Sequence, residues 1–237
     1  MRAQPVTDYP VNIVTATHFD LSCLSLSPIV IKQIIDFRTK NIVRTKYDID
    51  QLKTVKFRGR NVRKFLIISL PRELQQMRDP YDFIMCLKSC NSAKVNNDID
   101  NICEKYYDDH KDGYIYMLCE AKDTARWNDG NDCWIKIGRT VNLQSRVVEW
   151  DYFGIWSRQT KSSHRMESLI HKYLDCIRAY RPQMHGKGTN EHEWFYGNAE
   201  LIKCAINCVI DCHDCNDDSG EYYEGENSVI LDDPMIE

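Results

Sequence analysis

The sequence predicts an α+β fold, in which a small domain with a short, mainly antiparallel sheet and flanking helices follows a separate mixed α/β region. Two observations predict the sheet and its helices. The segments GYIYMLC, from Gly113, and CWIKIGRT, from Cys133, are rich in β-branched and aromatic residues, which favour strands. The segment SSHRMESLIHKYLDCIRAY, from Ser162, repeats apolar residues at helical spacing.

The remaining elements of the small domain each have a local signal. NDGND supplies turn residues between the two strands, and Asn142 is suited to cap a short helix, LQSRVVEW. GIWSRQT is a third candidate strand and EHEWFY a fourth. Asn198 is suited to cap the last helix, AELIKCAINCVIDC, while Ser162 or Ser163 is suited to cap the long one. The apolar face of the long helix comprises Met166, Leu169, Ile170, Tyr173, Leu174 and Ile177.

The bulk composition is that of an intracellular globular protein. The 237 residues are 43% hydrophobic and 28% charged, with a net charge of −4. No segment approaches the roughly 18 apolar residues that span a bilayer, and the first residues lack the pattern of a signal peptide. We therefore expect a location in the cytoplasm or nucleus, no membrane partner, and eleven cysteines that are mostly reduced thiols.

Charge is distributed unevenly along the chain and suggests three parts. Residues 198–237 hold one Lys against 11 acidic residues, whereas the preceding chain is mildly basic. We predict an N-terminal mixed α/β region over residues 1–100, a second domain over 111–215 and an acidic, disordered tail over 216–237. The polar segment at 91–101 is a plausible linker between the first two.

The N-terminal region contains a basic stretch from Arg38 to Lys64, with ten basic and two acidic residues. Such a stretch is suited to contacting a nucleic-acid backbone through charge, although a basic run is usually a solvated face. Further along, NVRKFLIISL predicts a buried strand, and a helix follows Pro71 with an interruption near Pro80. The residues of the stretch expected to contact nucleic acid are Lys56, Arg58, Arg60, Arg63 and Lys64.

An ordered set of residues begins at the first strand of the small domain. GYIY is followed by KIGRT, then by Arg146, then by Glu167 with His171 one turn later, and finally by EWF. This order resembles the GIY-YIG endonuclease superfamily, most closely its phage Orf-172-like DNA-binding branch. The resemblance covers residues 112–197 approximately, and the N-terminal half resembles no family that we identify.

The resemblance implies a phosphodiester-handling site. Tyr116 and Lys136 match the first and second signature tyrosines, and we expect the hairpin to bring them together. Arg139 and Arg146 would contact phosphate, and Glu167 would hold Mg²⁺ or Mn²⁺. We expect Gly138 to let the backbone turn into the helix that carries Arg146. The implied catalytic residues are Tyr116, Lys136, Arg146, Glu167 and His171.

Lysine in place of the second tyrosine departs from the superfamily's pattern. Free tyrosine titrates near pH 10 and free lysine near about 10.4, so either must be perturbed to act as a base near neutrality. A lysine beside Tyr116 would favour the phenolate, which suits a general base. The departure is compatible with catalysis and equally with a scaffold that only binds.

Plainer structural interpretations stay open for several residues. Tyr116 fits a half-buried strand aromatic, and His171 fits a structural histidine. Trp194 and Phe195 fit a closed core better than base stacking. Asn198 matches an asparagine found late in many superfamily sites, but a helix cap also explains it.

The last helix also raises the question of zinc. Cys212 and Cys215 have CxxC spacing beside His213, whereas Cys204 and Cys208 are one helical turn apart. We prefer cysteines lining an amphipathic helix.

The function most consistent with these patterns is metal-dependent hydrolysis of DNA by a GIY-YIG-type nuclease domain, with DNA as the partner. Two alternatives stay open: a catalytically inactive DNA-binding module, and a viral interaction or regulatory protein. The acidic tail would compete with DNA for basic surface, so its deletion should tighten binding at low salt.

Overall fold

The computed structural model of the chain describes residues 9–24, 26–48, 66–104, 111–145, 152–179 and 193–214. The N-terminal part is mixed α/β, as predicted. A parallel pair of two-residue strands connects its start with its middle, with Val11 opposite Leu66. Its elements are β1 (Val11–Asn12), α1 (His18–Cys23), α2 (Pro28–Lys40), β2 (Leu66–Ile67), a 3-10 helix (Arg72–Gln76), α3 (Pro80–Ser89) and α4 (Ala93–Glu104).

The second part holds an antiparallel sheet with flanking helices, which confirms the predicted fold class. Its strands lie in the order β5-β3-β4-β6, and every neighbouring pair is antiparallel. Its elements are β3 (Gly113–Glu120), a 3-10 helix (Ala121–Asp123), α5 (Thr124–Asn128), β4 (Asp132–Thr140), β5 (Tyr152–Thr160), α6 (Ser163–Tyr173), a 3-10 helix (Asp175–Ile177), β6 (Trp194–Asn198) and α7 (Ala199–Asp214).

The two faces of the sheet have different neighbours. Ile115 and Ile137 alternate onto the face that shares a core with Leu169 of α6 and Ile206 of α7. The six predicted apolar residues of the long helix and the turn after it are all buried. On the opposite face, a smaller cluster contains Ile67, Trp134, Ala179 and Trp194. Trp194 and Phe195 are both buried, which confirms that they close the core.

Two of the three predicted helix caps are present. The Asn198 side-chain oxygen accepts a hydrogen bond from the Leu201 amide at 3.0 Å, and that of Asn142 accepts one from the Ser145 amide at 3.1 Å. The prediction for α6 is wrong. Ser162 occupies the N-cap position without a side-chain capping bond, and the Ser163 hydroxyl donates to the carbonyl of Lys111 at 3.3 Å.

The N-terminal part contributes two helices to the main core. Leu87 of α3 and Ile99 of α4 are fully buried in the cluster that contains the sheet and α6. The Asn91 amide donates to the carbonyl of Tyr173 at 2.9 Å. The predicted linker at 91–101 is therefore wrong, because Val95 and Ile99, one turn apart, anchor a helix there. The predicted division of the chain into domains stays a prediction.

Candidate functional site

Tyr116 and Lys136 lie on the same face of the sheet. Tyr116 is opposite Gly138, and Leu118 is opposite Lys136, so the two side chains are diagonal neighbours. Each is only 5% exposed. The hairpin thus brings them onto one face, as the sequence predicts, and their catalytic roles stay predictions.

Gly138 has a different function from the predicted one. It lies within β4 rather than at a turn into a helix. A Cβ atom at this position would lie 2.5 Å from Tyr116 Oη and 2.7 Å from Cζ. The absence of a side chain at Gly138 is therefore what allows the phenol ring to cross the neighbouring strand.

Glu167 of α6 forms an ion pair with Arg139 on the face of β4 that is opposite Tyr116 and Lys136. Arg139 is opposite Ile115, so it faces α6, and its Nε lies 3.1 Å from Glu167 Oε2. Burial raises the pKa of the Glu167 carboxyl, and the Arg139 guanidinium opposes that shift. The predicted metal ligand and a predicted phosphate ligand thus form one ion pair.

Glu193 connects this ion pair with Lys136. The Lys136 Nζ atom lies 3.3 Å from Glu193 Oε2, and the Lys136 side chain is 6% exposed. The negative charge of Glu193 also raises the pKa of Glu167, after the larger effect of burial. Two ion pairs, Lys136–Glu193 and Glu167–Arg139, are therefore coupled through the repulsion between their carboxylates.

The predicted residues do not all meet on one face. Tyr116 and Lys136 lie on the face opposite α6, whereas Arg139, Glu167 and His171 lie on the side of α6. Glu193 precedes the edge strand β6 and reaches the neighbourhood of both groups. The sheet edge at β6 is where the two groups come within electrostatic range.

His171 is held by the backbone of β4. Its Nε2 lies 3.0 Å from the carbonyl oxygen of Ile137, so Nε2 carries a proton in this hydrogen bond. Its ring lies 5.2 Å from the Phe195 ring, measured between centroids. These contacts support the structural interpretation of His171, and its catalytic role stays a prediction.

Several predicted residues lie outside the described ranges. They include Arg146, the second predicted phosphate contact of the site, and all the predicted nucleic-acid contacts of the basic stretch. Cys215 and the acidic tail are also outside. The predicted nucleic-acid contacts concerned are Lys56, Arg58, Arg60, Arg63, Lys64 and Arg146.

Sequence reasoning missed a buried charge network behind His171. Arg178 Nη2 donates to the carbonyl of His171, and the Arg178 guanidinium lies over the Phe195 ring. Arg178 pairs with Asp175 at 2.9 Å, and the Lys46 ammonium donates to the Asp175 carbonyl at 2.6 Å. Spacing of three between Asp175 and Arg178 hints at that pair, but nothing local in the sequence points to Lys46.

The cysteines of α7 give mixed results for zinc. Each cysteine within the described ranges is a free thiol. Cys208 and Cys212 pack against the main core, which fits cysteines lining an amphipathic helix. Among the residues that the structure describes, no three His, Cys, Asp or Glu side chains form a group suited to a metal. Cys215 lies outside the described residues, so the preference for helix-lining cysteines over zinc at Cys212 and Cys215 stays a prediction.

Glu167 and Glu193 fit a hard divalent cation in their chemistry. Mg²⁺ in proteins is commonly held by one or two carboxylates, with waters and substrate phosphate completing its shell. The like charge of Glu193 adds to the raised pKa of Glu167, and a bound cation would relieve that repulsion. A pair of carboxylates beside Lys136 and Arg139 is therefore suited to a cation and a phosphate together.

Comparison with known families gives a match over one part of the chain. The family model of the T5orf172 domain matches residues 113–210. The match begins at β3 and ends within α7, so it contains the sheet, Glu167 and both ion pairs. It covers less than half of the chain. No curated protein and no solved structure gives a match.

The T5orf172 match indicates a nuclease-like, DNA-binding type of domain over these residues. It agrees with the coarser part of the resemblance drawn from the sequence. Within the described ranges, no helix combines the length and the apolar content that crossing a bilayer requires.

Proposed function

We propose that the chain binds DNA and that its T5orf172 segment hydrolyses a phosphodiester bond with the help of Mg²⁺ or Mn²⁺. The observation that carries the proposal is the pair of neighbouring ion pairs, Lys136–Glu193 and Glu167–Arg139, whose two carboxylates repel each other near one sheet edge. It supplies carboxylates for a cation and a guanidinium for a phosphate. The T5orf172 match over the same residues and the GIY-YIG-like order of motifs support it.

In this proposal Arg139 orients the phosphate. A guanidinium presents a fixed fork of donors that suits phosphate oxygens, and the Arg139 side chain is 38% exposed. Glu167 and Glu193 would hold the cation. A divalent cation bound there supplies charge stabilisation to the phosphate and to the leaving oxygen.

Tyr116 is the proposed general base. Its phenolate would accept the proton of the attacking water as the new phosphorus–oxygen bond forms. The bond to the leaving oxygen breaks, and that oxygen takes a proton from solvent. Lys136 on the same face would favour the phenolate through its positive charge. His171 would hydrogen-bond the phosphate from the side of the sheet that faces α6.

A test uses supercoiled and branched DNA with Mg²⁺, Mn²⁺ or EDTA, comparing wild type with Tyr116→Phe. We expect nicking that EDTA abolishes and that Tyr116→Phe slows about 100-fold, as for loss of a general base. Salt-sensitive DNA binding without nicking would replace the proposal with the binding module. Absence of both nicking and binding would contradict the two together.

A catalytically inactive DNA-binding module is the second candidate. The observation that favours it is the Arg139–Glu167 ion pair, since a carboxylate with a guanidinium partner is satisfied without a cation. In that case Glu167→Gln would leave DNA affinity unchanged or increase it, because a negative charge near phosphate is removed.

A further inference from the structure

Arg139 and Glu167 differ in how far they are open to solvent. The Arg139 side chain is 38% exposed and that of Glu167 is 19% exposed, while their Nε and Oε2 atoms are 3.1 Å apart. The guanidinium is thus the partner that an incoming DNA backbone reaches first. Phosphate offers it paired oxygens in the geometry that guanidinium prefers.

Arg139 is the described ion-pair partner of Glu167, and the Glu167 side chain is only 19% exposed to solvent. Burial acts against its charge, Glu193 adds a like charge, and Arg139 is the described cation that opposes both. A buried carboxylate that loses its partner is strongly destabilised. A metal cation that replaces Arg139 would restore a positive partner to Glu167 when the guanidinium turns to a phosphate.

Glu193 is the less available of the two carboxylates for the incoming cation. Its carboxylate is already 3.3 Å from the Lys136 ammonium. Lys136 is anchored in β4 opposite Leu118, and its side chain is 6% exposed, so it lies deeper than Arg139. The partner of Glu167 is the exposed one of the two cations, and the exchange is expected at Glu167.

We infer that Arg139 couples phosphate binding to cation binding: without DNA it occupies Glu167, and with DNA it moves to the phosphate and leaves Glu167 to Mg²⁺ or Mn²⁺. The inference rests on the proposed function. Because coupling between two ligands is reciprocal, DNA tightens cation binding as much as the cation tightens DNA binding. Arg139 thereby keeps the cation from Glu167 until a substrate phosphate is bound.

The first test measures Mn²⁺ binding without DNA, from the loss of the free-ion signal in electron paramagnetic resonance. We expect Arg139→Gln to bind Mn²⁺ about tenfold more tightly than wild type, within the usual range of such couplings. Adding Glu167→Gln to Arg139→Gln should abolish the gain. The matched control is Arg158→Gln, which removes an arginine paired with Asp211 elsewhere in the fold.

The second test measures DNA affinity by fluorescence anisotropy of a short labelled duplex, in EDTA and in Ca²⁺. Wild type and Arg158→Gln should bind more tightly in Ca²⁺, and Arg139→Gln should lose that difference. Circular dichroism establishes that each variant is folded. Equal Mn²⁺ affinity in wild type and Arg139→Gln would overturn the inference, as would a gain that survives Glu167→Gln.

Failure of the inference differs from failure of the proposed function. Nicking with no effect of Arg139→Gln on Mn²⁺ affinity would leave the nuclease and remove the coupling. Coupling without nicking would leave the role of Arg139 in place and assign it to a DNA-binding module that uses a metal ion for binding only.

Discussion

The phenol of Tyr116 crosses Gly138 so closely that a Cβ on Gly138 would lie 2.5 Å from the hydroxyl oxygen. A methyl group at this position must displace the ring of the proposed general base. The strand pairing fixes both residues, because Tyr116 and Gly138 are directly opposite each other.

Gly138→Ala should therefore reduce nicking sharply and lower the free energy of unfolding by about 1–3 kcal/mol, the usual effect of overpacking. Urea unfolding and a nicking assay measure the two effects. The matched control is Gly197→Ala, where the nearest atom, Ile202 Cδ1, would lie at 3.4 Å. Equal behaviour of the two variants would show that the phenol is not held as described.

Asp175→Asn should lower the free energy of unfolding by about 3–5 kcal/mol, because it removes a negative charge from a buried pair. The Lys46 side chain is 7% exposed and that of Asp175 is 12% exposed. The Tyr47 hydroxyl, which donates to Asp175 Oδ2 at 2.8 Å, loses a charged acceptor as well. Urea unfolding measures the change.

Asp36→Asn is the matched control for Asp175→Asn. Asp36 pairs with Lys32 at 2.6 Å on an exposed helix surface, where such pairs contribute little. We expect its unfolding midpoint to be unchanged. A loss as large as that of Asp175→Asn would mean that burial does not decide the effect.

Glu167→Gln should stabilise the fold at neutral pH relative to wild type. Burial, followed by the charge of Glu193, raises the pKa of Glu167 above its ordinary value despite Arg139. A raised pKa favours the protonated fold, so this stability is complete below the ordinary glutamate pKa and is lost as pH rises through the folded value. The neutral amide avoids that loss.

Urea unfolding of both proteins from acidic to neutral pH checks this sign. The two should have similar stability at low pH, and the variant should become the more stable one as pH rises. If wild type instead became the more stable protein as pH rises, the attraction of Arg139 for the Glu167 carboxylate would outweigh the effect of burial.

Asn198→Ala should lower the free energy of unfolding by about 1 kcal/mol through loss of the cap on α7. Asn198→Asp should preserve nicking and keep the cap, because a carboxylate also accepts the hydrogen bond from the Leu201 amide. It should lose some stability, however, because the side-chain amide no longer donates to the Gly130 carbonyl. Thermal unfolding and nicking rates measure both. Loss of nicking in a stable Asn198→Asp variant would assign Asn198 to the chemistry rather than to the cap.

The sheet and the long helix could be predicted because each pattern is local. β-branched and aromatic residues mark β3 and β4, which are buried along most of their length, and Met166, Leu169 and Tyr173 mark one face of α6. Helix α4 was missed because Val95 and Ile99 are its two buried apolar anchors among polar neighbours. Composition alone makes such a segment look like a linker.

The candidate site was predictable as a set of residues but not as an arrangement. Arg139 and Glu167 are 28 residues apart, and their pairing depends on how α6 packs against β4. The requirement for glycine at Gly138 depends on cross-strand register, which a single sequence does not determine. Lys46 reaches Asp175 from 129 residues away, so only the folded chain reveals that contact.

The central claim is that Glu167 serves metal-dependent cutting of DNA. The most direct measurement is the single-turnover nicking rate in Mg²⁺ for wild type, Glu167→Gln and Glu200→Gln, the last being 62% exposed on α7. We predict that Glu167→Gln slows nicking about 100-fold or more, since cation binding contributes several kcal/mol, while Glu200→Gln cuts at the wild-type rate. Nicking by Glu167→Gln at the wild-type rate would contradict the account.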